Sequence, residues 1–152
     1  MNQRNRRRLQ FVTAGLALVV AGMHVLHPTQ GGHALMAYAM VGQLGDPRPL
    51  LFVIGSFALL FGIMLGFNGF DGKPLYLGGI VVSLAFFLGY GVWHTVLDHG
   101  AFWPHIEGHG HHSGNALVVV FEHLLSDSLA LASSIAELAL LGCLAALYYT
   151  EQ

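Results

Sequence analysis

Residues 50–67 read LLFVIGSFALLFGIMLGF, an apolar run without one ionisable side chain. Such a run approaches the ~20 residues that an α-helix needs to cross the hydrocarbon core of a bilayer. It is continuous and not alternating, so a helix is expected and a barrel strand is not. Three further stretches of the same kind flank it, giving spans at about 9–27, 50–67, 75–97 and 116–148. Composition agrees: hydrophobic residues make up 55% and charged residues 9%, where a soluble domain carries about 25% charge. The expected fold is all-α, an integral membrane four-helix bundle forming a single transmembrane domain over residues 1–152.

The connections follow from local punctuation. Pro28 and Gly31-Gly32 stop the first span near His27, since proline cannot continue a helix. Residues 33–43 are apolar but too short to cross, and they predict a short interfacial helix ended by Gly45-Asp46-Pro47. Span two resembles a wall of the bundle, with Gly62 and Gly66 as a small-residue pair suited to close helix approach. The fourth stretch would be roughly 50 Å long as one helix, against a core of about 30 Å. It is therefore expected to tilt or to extend past the interface at Glu122 and His123.

Orientation comes from the basic residues. Arg4, Arg6, Arg7, Arg8 and Lys73 fall on one side of the spans and only Arg48 on the other. Basic residues close to span ends mark the cytoplasmic side, so both termini are expected there. The 26–49 connection and the 98–115 loop are expected outside the cytoplasm, on a multi-pass protein of the cell membrane. The basic start and apolar run also fit a signal peptide, and a retained signal-anchor is the expectation preferred. A net charge of −2 gives no nucleic-acid reading; the basic tag suits anionic headgroups of the lipid bilayer. The single cysteine, Cys143, excludes an internal disulfide and any CxxC motif.

All ten histidines can be assigned to the extracytoplasmic end. Histidine is the commonest protein metal ligand and titrates nearest neutral pH. Three spans each offer a pair at helical spacing: His24 with His27, His94 with Asp98, and His123 with Asp127. Residues three or four apart share a helix face, and bundle metal sites are built from such inward pairs. The candidate metal site is therefore His24, His27, His94, Asp98, His123 and Asp127, with Glu122 as an alternate ligand or acceptor. Imidazoles with carboxylates suit a transition metal such as copper, zinc or iron. His105, His109, His111 and His112, set among glycines, form a secondary loop metal site or a polar loop with adventitious affinity.

Asp127 and Glu137 are expected within the hydrocarbon layer, where an ionisable group costs from a few to more than ten kcal/mol unless paired, hydrated or neutralised. Neither has a basic residue nearby on any span, so metal, protonated histidine, hydrogen-bond donors or a bound proton must meet them. Asp127, Ser134 and Glu137 share a stripe with His123 and form a candidate proton path or a structural polar network. Haem b is the competing cofactor, with axial imidazoles drawn from His24, His94 and His123.

The first two spans resemble the DoxX-like four-helix membrane proteins in Gly15-Leu16, in Ala21-Gly22-Met23-His24 with Pro28, and in Leu50 to Leu65 with its spaced glycines. The resemblance covers less than half of the chain. It implies a four-helix bundle and a link to respiratory or redox membranes, and it does not reach the histidines of 94–123. The expected function is a small membrane protein binding a transition metal at its extracytoplasmic face, as a metal-handling protein or a subunit of a metal-dependent complex. The alternatives are a haem b electron-transfer or quinone-linked redox protein and a non-catalytic assembly subunit. Each would act with other membrane subunits or as a homo-oligomer.

Overall fold

The computed structural model describes residues 1–42, 45–97 and 115–151. Six helices follow in order: α1 (Gln3–Val25), α2 (Gly32–Val41), α3 (Arg48–Phe67), α4 (Lys73–His94), α5 (Ala116–Ser126) and α6 (Ser128–Thr150). No strand occurs among the described residues. Four helices, α1, α3, α4 and α6, are long and apolar enough to cross a membrane. Their outward faces carry exposed Phe57, Phe61, Leu88 and Leu138, among others. Such side chains suit lipid, which places no premium on a polar exterior.

The four long helices form a closed ring in the order α1–α3–α4–α6, each packed on two neighbours. The buried core is Ala17, Val20 and Ala21 of α1, Leu59 of α3, Tyr76 and Phe86 of α4, and Leu140, Leu144 and Leu147 of α6. Two glycines let rings and branched chains enter. A Cβ on Gly55 would sit 2.4 Å from Cζ of Phe86, and one on Gly79 would sit 3.0 Å from both methyls of Leu144.

Helix ends carry the expected chemistry. α3 starts at Pro47-Arg48-Pro49, with the Asp46 carboxylate accepting from the Arg48 amide at 2.9 Å. The α3–α4 turn uses positive φ at Gly69 and Gly72, conformations open to glycine, before Pro74 enters the first turn of α4.

The largest departure from expectation lies in the fourth apolar stretch. Residues 116–148 are not one helix. The chain turns extended at Asp127, with φ −108° and ψ 102°, dividing α5 from α6. The Asp127 Oδ1 accepts from the amides of Leu129 at 2.9 Å and Ala130 at 3.1 Å. These are amides that a new helix leaves unsatisfied. The length problem posed by a single long helix is thus relieved by a break, and α6 alone has span length.

Candidate functional site

Two polar clusters occupy the His94 half of the bundle, one inside it and one at its end. The inner cluster is built on His24. Residues 13, 17, 20, 21 and 24 of α1 share the buried face, the spacing of one helical stripe. That stripe carries His24 into the bundle in the last turn of the helix. Its Nδ1 lies 3.0 Å from the Val20 carbonyl oxygen. A carbonyl only accepts, so Nδ1 carries the proton and Nε2 is left to face α6. There it meets Glu137 Oε1 at 3.4 Å. The same carboxylate oxygen accepts from Ser133 Oγ at 2.7 Å.

Aromatic rings hold the imidazole in place. Phe86 of α4 stacks on it with centroids 3.9 Å apart and planes 13° from parallel. Phe52 of α3 presents its edge at 4.6 Å. One turn away, after Phe52 in α3 and before Phe86 in α4, stand Ser56 and Ser83, both fully buried and both without a hydrogen-bond partner among the described residues. Every long helix thus supplies a polar group to the interior: His24, Ser56, Ser83, and the Ser134–Glu137 stripe.

The chemistry of the pair follows from the tautomer. With Nδ1 protonated, one further proton between Nε2 and Oε1 would give either neutral imidazole and acid or imidazolium and carboxylate. With no proton between them, two lone pairs would oppose one another in a low-dielectric interior. A proton held between Nε2 and Oε1 would make His24–Glu137 electrically neutral as a unit.

The outer cluster gathers at the ends of α1, α4 and α5. His94 and His123 bring their rings together with centroids 4.8 Å apart and planes 25° from parallel, and Tyr90 lies against His94 at 4.4 Å. His27 is half-buried beyond the end of α1. Its Nδ1 accepts from the Gln30 amide at 3.2 Å and the Thr29 amide at 3.4 Å, which leaves the proton on Nε2. Burial lowers the His27 pKa from its ordinary value; the Asp127 charge opposes that shift and the Arg48 charge adds to it. Arg48 closes this end, its guanidinium 4.0 Å above the Trp93 ring and its Nε 2.8 Å from Asp46 Oδ2.

The expected site residues therefore divide. His94 and His123 meet, as same-end positions on neighbouring helices should. His24 lies instead with Glu137, both of its ring nitrogens facing partners in the bundle. Glu122 is exposed, and so is Asp127, whose carboxylate caps α6. Of the ways expected for the Asp127 charge to be met, hydrogen-bond donors are the ones found: two backbone amides meet it. Asp98, His105, His109, His111 and His112 lie outside the described residues. Among the described residues, no three of His, Cys, Asp and Glu stand close enough to hold one ion.

Sequence reasoning reached Ser134 and Glu137 as a buried stripe but did not join Glu137 to His24. The signal was present, because an acid inside a span without Lys or Arg leaves histidine as the available basic partner. Ser56 was hidden in a span read as a plain wall. No protein-family model, no curated protein and no solved structure matches this chain.

Proposed function

We propose that this chain is a small integral membrane protein that binds a transition metal, copper, zinc or iron, at the bundle end carrying His94 and His123. By the bias of its basic residues, that end is extracytoplasmic. The approach of the two imidazoles carries the reading. Two imidazoles bound to one ion at ~2.0–2.1 Å and a roughly tetrahedral angle have ring centroids about 5 Å apart. The 4.8 Å between His94 and His123 is close to that spacing, and their stacked planes, 25° from parallel, would have to turn for a nitrogen of each ring to face one ion. Axial ligation on opposite haem faces calls for about 6 Å or more, with the macrocycle between the rings, so the spacing favours a bare ion at this pair.

His94 and His123 would be the anchoring ligands. Asp98, four residues after His94, is the further donor the reading draws on, and the histidines of 105–112, between the two anchors in sequence, are a secondary loop site. His27 and Asp127 stand at the same end as electrostatic neighbours. The metal would supply Lewis acidity or a redox centre, and the chain's own part is to hold two neutral imidazoles at fixed spacing. The reading includes work beside other membrane subunits or as a homo-oligomer.

Elemental analysis with an absorption spectrum of the purified protein tests this. Stoichiometric metal without a Soret band is the expected result. Protein holding neither metal nor haem but copurifying in a larger complex would replace the reading with an assembly role.

A second reading is favoured by the His24–Glu137 pair. A neutral one-proton unit inside a membrane bundle suits proton carriage, with Ser133 and Ser134 beside it on α6. In proteoliposomes under an imposed proton gradient, Glu137→Gln would then abolish flux while leaving metal content unchanged. Flux equal to that of the unaltered protein would dismiss it.

A further inference from the structure

At the opposite, Arg6 end of the bundle lies a cavity of about 880 Å³ between α1, α3 and α4, floored by Leu140, Leu144 and Leu147 of α6. Ligand pockets span about 300–1,000 Å³, so this space is of ligand size. Its walls are small residues from three helices, Ala14 and Ala17 of α1, Gly62 and Gly66 of α3, and Gly78 and Gly79 of α4. The glycine pair of α3 is not used for close helix approach. A Cβ on Gly62 or Gly66 would meet only Leu75, at 3.8 and 3.7 Å, and one on Gly78 would meet nothing within 4 Å. The missing side chains leave a trough, and exposed Phe11, Phe61, Phe67 and Phe70 stand at its edges.

The mouth is polar and its charges are unequal. Asp71 accepts from Arg6 at 2.9 Å, from Gln10 at 2.9 Å and from the Tyr76 hydroxyl. Arg6 also pairs with Glu151. Asp71 and Glu151, the carboxylate side chains described at this end, are thereby engaged by one arginine. Arg4, Arg7, Arg8 and Lys73 have no carboxylate within ion-pair distance among the described residues, and Arg7 itself lines the cavity, its guanidinium over the Phe11 ring. An apolar trough ending at the unneutralised Arg7 guanidinium, with Lys73 next in sequence to the lining Pro74, matches an amphiphile with a hydrocarbon tail and an anionic head. Basic groups at a membrane surface attract anionic lipid headgroups.

We propose that this cavity is a binding site for an anionic phospholipid, its acyl chain in the Gly62–Gly66–Gly78 trough and its phosphate at Arg7 and Lys73. The site stands apart from the His94 end, so it holds or fails independently of metal binding. The test uses the full chain, purified in neutral detergent and exchanged into nanodiscs of mixed phosphatidylglycerol and phosphatidylcholine. Lipid retained after re-extraction and washing is then counted by native mass spectrometry.

The unaltered chain is expected to retain phosphatidylglycerol at least tenfold over phosphatidylcholine. Gly62→Leu, which fills the trough, is expected to lose the retained lipid with its circular dichroism unchanged. Arg7→Gln is expected to keep lipid but lose the headgroup preference. Equal retention of the two lipids by the unaltered chain would overturn the proposal. So would full retention by Gly62→Leu, or a second copy of the chain in place of lipid. Should Gly62→Leu not fold, Gly78→Val at the opposite wall reads the same quantity.

Discussion

Asp127 and Glu137 lie ten residues apart on one chain stretch, and the apolar run around them gives both the same apparent problem. Their solutions are opposite. At the start of α6 the backbone breaks, the acid is exposed, and two amides satisfy it. In the body of α6 the helix is continuous, the acid is buried, and an imidazole and a serine hydroxyl meet it. An acid in a membrane helix can be accommodated by bending the main chain around it or by building a partner on another helix. The first is local and inexpensive; the second commits a neighbouring helix to one rotation and one depth.

That contrast can be broken most severely at Glu137. Glu137→Ala leaves His24 buried without its partner, and removing one member of a buried pair costs about 3–5 kcal/mol. Thermal unfolding in detergent should fall accordingly. Glu137→Gln, whose amide can donate to Nε2, should recover most of the loss. A small effect of Glu137→Ala would mean the pair is not buried as described.

Gly55→Ala attacks the same pair from behind. The added methyl meets Phe86 at 2.4 Å, and overpacking costs about 1–3 kcal/mol. Because Phe86 stacks on His24, the effect should shrink in a background already lacking His24, and a double-mutant cycle reads that coupling. Additive losses would show that the ring does not transmit the strain.

Asp127→Ala should be milder, about 1 kcal/mol for a lost N-cap, with Asp127→Asn near neutral. A loss as large as that of Glu137→Ala would erase the contrast between the two acids.

The smallest effect expected is in pH. His27 has its pKa lowered by burial, so the folded protein binds its proton less readily than the unfolded chain. The stability it contributes is present above the ordinary imidazole range and is lost as pH falls through the lowered value. His27→Gln should flatten the acid side of the unfolding profile, and an unchanged profile would remove His27 as its source.

The bundle itself was legible because hydrocarbon thickness sets helix length, and runs such as 50–67 leave no other element. The break at Asp127 was concealed by the apolar residues on both sides of it, which extend one run across two helices. Its sign was an aspartate between Ser126 and Ser128, cap chemistry that length alone overruled. The His94–His123 meeting followed from shared depth. The His24–Glu137 pairing depended on α1 standing beside α6. Periodicity does not reveal such a neighbour when lipid-facing and core-facing sides are both apolar. The cavity escaped for a related reason: Gly62 and Gly66 read alike whether they admit a helix or leave space.

The central claim is the metal at His94 and His123, and metal content of purified variants tests it most directly. After washing with a weak chelator, the unaltered chain and a variant lacking His105, His109, His111 and His112 should both keep one equivalent of the same metal. His94→Ala and His123→Ala should each fall to a tenth or less. Full occupancy in both single variants, or loss only when the 105–112 histidines are removed, would contradict the account.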